Sequence, residues 1–483
     1  MKISKQFHLN KSQHELDFVD IDPKKDKPVF IDPFFLSTRN HPWCLDASRT
    51  LHNFFQYAIE LIKAGETDNA RSIFIHLNEP NETCLGMSRS EPQGRGVGSD
   101  DSRRIFESII ESRAVQTGLV EDLEDTAIFI DGISKDKVSD MTTNIIRKHL
   151  IEYTQSQCRL WDIPLQQDVP SGFFWDASQK EWNNIHTERL VVGERPLLLV
   201  PKIAVSFHRE YIDQKYYQHF VLNFLQDDHL QRKTSLVRRR FDKKGRLVKE
   251  WVTKKDVKET EAPFSKEFLR EFTRKHPDVF KQFKKDKAQT VSPIANADLE
   301  EVELSELINY LIATLKTMSP GGEKAGEYHK LIIGILELIF YPNLTNPVKE
   351  KEINEGRKRI DITFDNAATA GFFYALHDIY KITSRYIFVE CKNYSEDPEN
   401  PAIDQLAGRF SVNSSKIGIL VCRQIDKKKL FLRRCSDLWK QKNELIIPLT
   451  DDEIIAVLEH IKNGQIRMEE KILNDLCREV IVS

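Results

Sequence analysis

The amino-acid sequence predicts an α/β protein in three parts, and three observations support this prediction. Segments typical of strands and of helices alternate along much of the 483-residue chain, which favours a layered α/β architecture. A strongly basic segment separates the two ends of the chain, and a buried strand near the C-terminus ends in charged residues. We therefore expect an N-terminal α/β domain at residues 1–230, a basic and mainly helical connector at 231–318, and a C-terminal α/β domain at 319–483.

The N-terminal domain is predicted from short apolar segments. Residues 27–33, 72–77, 127–132 and 196–201 have the composition of strands, and residues 45–63 show the periodicity of an amphipathic helix. Strands that alternate with helices in this way indicate one α/β unit. We expect this unit to sense a trigger or to determine specificity.

A glycine-rich segment at 85–99 interrupts that unit. Gly94, Gly96 and Gly98 alternate with other residues, and Arg89 and Arg95 lie in the same segment. Backbone N–H groups and guanidinium groups in such a loop can bind a phosphate. The segment lacks the Gly-Lys-Ser/Thr ending of a nucleotide-binding loop, and a surface loop without a ligand is the alternative.

The connector holds most of the positive charge of the chain. Residues 232–289 contain 20 Lys and Arg against 9 Asp and Glu, a net charge of +11, whereas the whole chain carries −3 and the remainder therefore −14. Such a segment can bind phosphates in a salt-dependent manner. The candidate nucleic-acid-binding residues are Arg238, Arg239, Arg240, Lys243 and Lys244. The alternative is a solvated helical hairpin that buries a stripe of phenylalanines.

Composition narrows the class of protein. A hydrophobic content of 40% and a charged content of 30% are typical of a soluble globular protein. No apolar run approaches the ~20 residues that a membrane-spanning helix needs, and the N-terminus has no apolar signal segment. The seven cysteines form no C-x-x-C pair, so neither a zinc site nor a disulfide framework is indicated. We expect a cytoplasmic protein with no membrane partner.

Residues 386–392 form the most informative segment of the chain. Side chains alternate across a strand, so Phe388, Glu390 and Lys392 share one face, whereas Val389 and Cys391 lie on the other. A mostly apolar strand seldom ends in two charged residues unless they have a partner or a function. The sequence therefore predicts a functional site at the end of this strand.

A second carboxylate is expected to join this site. Asp361 lies in an alternating segment 29 positions before Glu390, and pairing of the two strands would bring both carboxylates to one sheet edge. Carboxylate oxygens, with the backbone carbonyl of Cys391, are suitable ligands for Mg²⁺ or Mn²⁺. The metal would activate water and stabilise charge on a phosphoryl oxygen, and Lys392 would lie beside the scissile phosphate.

The pattern Asp361…Glu390-x-Lys392 resembles the PD-(D/E)xK nuclease superfamily, most of all its restriction-endonuclease-like, Mrr-type members. A predicted helix that begins with Glu327 precedes the aspartate strand, and Gln405 lies on a predicted helix that follows the lysine. The resemblance covers residues 320–465. It implies a restriction-endonuclease-like αβββαβ core with a mixed sheet. It departs from the family pattern where Ile360 stands in place of the proline, and residues 366–381 hold an additional predicted helix at 371–376.

The resemblance also implies an activity. Asp361 and Glu390 would hold the metal with Glu327 as an auxiliary ligand, Lys392 would be the catalytic lysine, and Gln405 would orient it or contact phosphate. The expected activity is hydrolysis of nucleic acid, with double-stranded DNA as the expected substrate, in restriction or antiphage defence, as a homo-oligomer or with a partner defence protein. Arg357 and Lys358 would add nucleic-acid contacts.

Two alternatives to this activity stay open. An inactive nuclease fold could serve as a nucleic-acid-binding or assembly module. The three charged residues could also form a structural ion-pair cluster.

Overall fold

The structure is a computed structural model. It describes residues 1–39, 41–86, 99–110, 112–116, 118–207, 210–349, 362–465 and 467–483, and of residues 99–102, 113 and 116 only the backbone. Most of the predicted glycine-rich loop, 87–98, lies outside the described residues. So do three predicted site residues, Arg357, Lys358 and Asp361.

The N-terminal region is mainly helical. Its helices are α1 (Ile3–Gln6), α2 (Pro33–Thr38), α3 (Pro42–Lys63), α4 (Thr67–Phe74), α5 (Ser99–Ile110), α6 (Arg113–Gln116), α7 (Asp125–Phe129), α8 (Lys135–Ile145) and α9 (Arg147–Leu160). The longest, α3, begins with a proline, and the side chain of His41 accepts a hydrogen bond from the Cys44 N–H at its N-terminus. Such capping satisfies a backbone donor that the helix leaves unpaired, so the start of α3 is well defined.

Short strands complete this region. They are β1 (Phe30–Ile31), β2 (Gln166–Pro170), β3 (Phe174–Asp176), β4 (Glu181–Asn183), β5 (His186–Val192), β6 (Arg195–Leu197) and β7 (Val205–Ser206). β1 pairs with β7, β3 pairs with β4, and β5 lies between β2 and β6. All of these pairings are antiparallel.

Two predicted strands of this region are helices, and both predictions were wrong. The segment 72–77 overlaps the end of α4, and the segment 127–132 overlaps the end of α7. Their apolar residues, such as Phe74 and Phe129, are buried as expected. An apolar run of six residues is compatible with a buried strand or with a buried turn of helix. In both segments, packing against neighbouring elements favours the helix.

The predicted connector is mainly helical but contains a hairpin. Helices α10 (Asp213–Tyr216) and α11 (Leu222–Arg232) precede it, and only the last two residues of α11 fall within it. The elements of the connector are β8 (Arg238–Phe241), β9 (Leu247–Trp251), α12 (Lys254–Thr260), α13 (Lys266–Lys275), α14 (Pro277–Thr290), α15 (Asn296–Leu299) and α16 (Leu304–Thr317). The arginine run lies on strand β8, which pairs with β9. The turn holds Gly245 at φ 74, and Asp242 accepts hydrogen bonds from the N–H groups of Lys244 and Arg246. These contacts favour a hairpin over a helix.

The connector packs closely against the N-terminal region. Of the connector's phenylalanines, Phe272, Phe280 and Phe283 are buried, whereas Phe241 and Phe264 are exposed. The ring centroid of Phe280 lies 4.8 Å from that of Phe129, and Phe283 stacks on Tyr211 at 5.1 Å. Lys266 Nζ donates to backbone carbonyls of the α7 region. The contacts therefore run across residue 230, and the boundary placed there stays a prediction.

The C-terminal region is built on a mixed sheet. Its elements are α17 (Ala325–Phe340), β10 (Leu344–Val348), β11 (Ile362–Asn366), α18 (Gly371–Asp378), β12 (Tyr386–Lys392), α19 (Asn400–Ala407), β13 (Ile417–Cys422), α20 (Lys428–Lys442), β14 (Leu445–Thr450), α21 (Asp451–Lys462) and α22 (Met468–Val482). The five described strands lie in the order β10-β11-β12-β13-β14. β10, β11 and β12 pair antiparallel, whereas β12, β13 and β14 pair parallel. The prediction of a mixed sheet is confirmed. Within the described ranges, no helix is long and apolar enough to cross a membrane.

Buried polar contacts join the N-terminal region to this sheet. Lys202 Nζ lies 3.8 Å from the Glu337 carboxylate on α17, and both side chains are fully buried. Asp17 accepts a hydrogen bond from the backbone N–H of Asn346 on β10 at 2.9 Å. Buried charges are costly unless they are paired, so these contacts fix where α17 and β10 meet the N-terminal region.

Candidate active site

Strand β12 carries the candidate site at its carboxyl end. It is apolar and buried for most of its length, and it pairs in parallel with β13, where Glu390 lies opposite Leu420. Phe388, two residues earlier on the same face, lies opposite Gly418. A Cβ atom at Gly418 would lie 2.8 Å from the side chain of Leu406 on α19, so glycine allows α19 to pack closely over the face that bears Glu390.

Three of the predicted site residues meet at this point. Lys392 Nζ lies 2.5 Å from Glu390 Oε1 and donates to Gln405 Oε1 at 3.2 Å. β12 supplies the first two residues and α19 supplies Gln405. The spacing Glu390-x-Lys392 places both side chains on one face of the strand, and the packing of α19 brings the amide to the ammonium.

The sequence prediction missed Arg409. Arg409 Nη1 lies 2.8 Å from Glu390 Oε2, and the arginine side chain is only 6% exposed. Arg409 lies in the turn that follows α19, which ends at Ala407, so helical periodicity gave no signal for it. The Glu390 side chain is 1% exposed, so this carboxylate is buried between an ammonium and a guanidinium.

Lys392 faces a cleft. The cleft has a volume of about 470 Å³ and is lined by Lys392, Gln405, Tyr394 and Gly321 among others. The Lys392 ammonium lies 5.9 Å from the centroid of the Tyr394 ring, and its side chain is 12% exposed. The ammonium can therefore meet a ligand in the cleft while Glu390 stays behind it.

Asp361 and Glu327 were the other predicted metal ligands. Asp361 lies outside the described residues and directly precedes Ile362, whose partner on β12 is Val389. Glu327 lies on α17, but its carboxylate is 60% exposed and pairs with Lys324 at 2.7 Å. Glu327 therefore does not join the described group around Glu390, and its role as an auxiliary ligand stays a prediction. Among the described residues, no three His, Cys, Asp or Glu side chains form a group that could hold a metal ion.

A second polar group lies at the ends of β13 and β14. Tyr328 donates its hydroxyl to Asp451 at 2.8 Å, and Arg423 Nε lies 3.2 Å from the same carboxylate. Burial raises the pKa of Asp451 to about 6. Because Tyr328 lies on α17, these contacts hold that helix against the carboxyl edge of the sheet.

The exposed β8–β9 hairpin holds the predicted nucleic-acid contacts. Arg238 pairs with Asp256 at 2.7 Å and Arg239 with Glu250 at 2.9 Å, so both guanidinium groups already have acidic partners. Five further cations of the hairpin are exposed and have no ion pair within the part of the chain that the structure describes. They are Arg240, Lys243, Lys244, Arg246 and Lys249.

Two of these cations face each other. Arg240 lies directly opposite Lys249 in the register of the hairpin. Like charges opposite each other destabilise a strand pair, and a bound anion would relieve this repulsion. Arg246 and Lys249 were absent from the sequence prediction, and only the register shows that Lys249 lies opposite Arg240.

Comparison with known proteins identifies one region of the chain. A family model described as a domain of unknown function (DUF8370) matches residues 8–213. The match covers most of the N-terminal region and ends before β8. No curated protein and no solved structure matches the chain. The arguments for function therefore rest on the candidate site itself.

Proposed function

We propose that this protein is a metal-dependent nuclease that hydrolyses phosphodiester bonds in DNA. The observation that carries the proposal is the meeting of Glu390, Lys392 and Gln405 at the carboxyl end of a buried strand, beside a cleft. Carboxylate, ammonium and amide in this arrangement are suited to phosphoryl chemistry, because such sites act mainly by positioning and by charge stabilisation.

The order of elements supports the same proposal. Helix α17 is followed by β10, β11 and β12, and then by α19 and β13, with the additional helix α18 between β11 and β12. This order agrees with the αβββαβ core that the resemblance to PD-(D/E)xK nucleases implies. We therefore interpret the sheet as a restriction-endonuclease-like core, and we infer defence against foreign DNA as its biological role from the resemblance alone.

The residues present suit a hard divalent cation. Glu390 and the Cys391 carbonyl offer oxygen ligands, and Asp361 would add a carboxylate one residue before β11. Mg²⁺ and Mn²⁺ favour oxygen ligands. Both Glu390 oxygens already contact cations, so a metal ion would replace one of these contacts. When bound, the ion would supply positive charge to the phosphoryl oxygen.

The remaining roles follow from the described contacts. Gln405 and Glu390 hold the Lys392 ammonium at the wall of the cleft. There the ammonium would neutralise charge that develops on the phosphate during attack by water. Gln405 would act as a positioning residue, because its amide oxygen accepts a hydrogen bond from the Lys392 ammonium.

Cleavage of supercoiled plasmid with and without Mg²⁺ tests the proposal. We expect the wild type to nick DNA only with the metal, and Lys392→Ala and Asp361→Ala to reduce the rate by about 10²–10³-fold, as loss of one charge-stabilising group does in other enzymes. Lys442→Ala is the matched control, since Lys442 is an exposed lysine at the end of α20. Equal cleavage by all four proteins would remove the assignment.

One observation favours a second candidate function. Arg409 places a guanidinium on Glu390, in the position where a nuclease would need a metal ion. A protein that keeps this ion pair would bind nucleic acid or assemble with partners without cutting. Gel-shift experiments in EDTA separate the two functions. Binding that persists in EDTA, with no cleavage in either Mg²⁺ or Mn²⁺, would favour the non-catalytic module.

A further inference from the structure

A second cleft lies between helix α3 and the sheet. It has a volume of about 750 Å³, within the range of small-molecule and nucleotide sites. Trp43, Asp46 and Arg49 of α3 form one wall. The opposite wall is formed by Asn346, Val348, Thr363, Asp365, Arg385, Tyr386, Phe388 and Ser414.

This cleft and the candidate active site use the same face of the sheet. Asp365 pairs with Tyr386 and Thr363 with Phe388, so these residues share the sheet face that carries Glu390. Phe388 lies two residues before Glu390, a distance of about 7 Å along a strand. The Phe410 ring stacks on Phe388 at 6.2 Å.

Two guanidinium groups line the cleft. Arg49 comes from α3 and Arg385 from the residue before β12, and both are exposed. Neither has an ion-pair partner among the residues that the structure describes. Arg385 lies 5.5 Å from the ring of Tyr386, which leaves its N–H groups available to an anion. A guanidinium group binds phosphate through paired hydrogen bonds.

Aromatic and polar groups occupy the space between the arginines. Trp43, Tyr386 and Phe388 line the cleft, and rings of this kind stack on nucleobases. The buried Asp365 carboxyl accepts a hydrogen bond from the Asn346 amide at 2.9 Å. Such a pair can recognise the hydrogen-bonding edge of a base.

We propose that this cleft binds one nucleotide, with its phosphate at Arg49 and Arg385 and its base against the aromatic wall. The nucleotide belongs to a single-stranded or locally opened segment of the nucleic acid beside the candidate site. The proposal depends on the proposed function in one respect, which is that the bound segment belongs to the nucleic acid that the candidate site would cleave. A free nucleotide has the same phosphate and base, and it is the other ligand that the cleft could bind. The cleft gives the N-terminal region, which supplies α3, a direct role in substrate binding.

Fluorescence anisotropy with a labelled 12-nucleotide single-stranded DNA in EDTA tests the proposal. We expect Arg49→Ala and Arg385→Ala each to weaken binding about tenfold, as loss of a charge-assisted hydrogen bond predicts. The slope of log affinity against log salt should fall by about 0.7 for each variant. Arg433→Ala is the matched control, since Arg433 is exposed on α20 and does not line the cleft.

Competition with unlabelled dAMP distinguishes the two sources. Displacement of the oligonucleotide at micromolar dAMP, lost in both arginine variants, would support a nucleotide site that takes free nucleotide. Arginine-dependent oligonucleotide binding without displacement would support the strand. Unchanged affinity of both variants for both probes would overturn the proposal.

The result is independent of catalysis, because binding is measured without metal. Arginine-dependent binding in EDTA is expected whether or not the protein cleaves DNA. If that binding is found while no protein cleaves DNA, the nuclease assignment fails and the cleft assignment stands.

Discussion

At the scale of single residues, the buried group around Asp365 has the clearest consequence. Asp365 contacts the Asn346 amide at 2.9 Å and lies 3.3 Å from His41 Nε2, which also bonds Thr345 at 2.7 Å. Burial raises the pKa of Asp365 to about 7 and lowers the pKa of His41 to about 3. Asp17 adds to the rise for Asp365, and Arg385 opposes it.

The direction of the pH effect follows from the raised pKa. Folded Asp365 binds its proton more tightly than the unfolded chain does, so the stability it contributes is present below about pH 4 and is lost as pH rises through about 7. His41 acts oppositely, since its contribution is present above pH 6.5 and is lost as pH falls towards 3.

We therefore predict that Asp365→Asn gains stability relative to wild type as pH rises. Between pH 5 and pH 8 the difference in free energy of unfolding should move in favour of the variant by on the order of 2 kcal/mol. Urea denaturation at the two pH values measures it. Asp437→Asn on α20 is the exposed control. A difference that does not change with pH for Asp365→Asn would contradict the assigned pKa.

At the scale of elements, the β8–β9 hairpin differs from its surroundings. It is exposed along nearly its whole length, and it also exposes three large apolar residues, Phe241, Leu247 and Val248. A two-stranded hairpin is only marginally stable by itself. Its ion pairs, Arg238–Asp256 to α12 and Arg239–Glu250 within the hairpin, help to hold it in place while its other cations face solvent.

We predict that the unpaired cations of the hairpin contribute most to binding of duplex DNA. Arg240→Ala with Lys249→Ala should reduce affinity and lower the salt slope by about 1.8, which is about 0.9 for each lost phosphate contact. Gel shifts at several salt concentrations measure this. Arg239→Ala is the matched control within the same strand, and its slope should change less, because Glu250 already neutralises that guanidinium. Equal slopes in all proteins would show that the hairpin does not contact DNA.

At the scale of the whole molecule, one buried pair connects the region matched by the DUF8370 model to the C-terminal sheet. Lys202 belongs to that region and Glu337 to α17. Lys202 also donates to Asn296 at 2.9 Å and lies 4.1 Å from the Tyr341 ring. Burial raises the pKa of Glu337, and the positive charge of Lys202 opposes that rise.

We predict strong coupling between these two residues. Lys202→Met alone should cost about 3–5 kcal/mol, because it leaves a buried carboxylate without its cation, whereas Lys202→Met with Glu337→Leu should cost much less. Urea denaturation of the wild type, the two single variants and the double variant gives the coupling free energy in a double-mutant cycle. The exposed Arg103–Glu107 pair at 2.8 Å is the control, with an expected coupling of at most about 1 kcal/mol. Additive effects of Lys202→Met and Glu337→Leu would exclude the coupling.

The C-terminal region was predicted from sequence more fully than the N-terminal region. Residues 386–392 form a strand and residues 371–376 are helical, as their patterns indicate. Long apolar strands that end in charged residues have few alternative structures. The helices α4 and α7 were missed, because their short apolar runs satisfy either a strand or a helix and their neighbours decide between the two.

The sequence by itself determined which chemical groups share the end of β12, because the alternation of a strand places Glu390 and Lys392 on one face whatever surrounds them. Only the tertiary structure decided that Arg409 completes this group, that Glu327 lies apart with Lys324, and that α3 forms the second wall of a cleft. The physical reason is the difference in sequence distance over which the two effects act. Backbone periodicity acts over a few residues, whereas these contacts join side chains whose proximity depends on how whole elements pack.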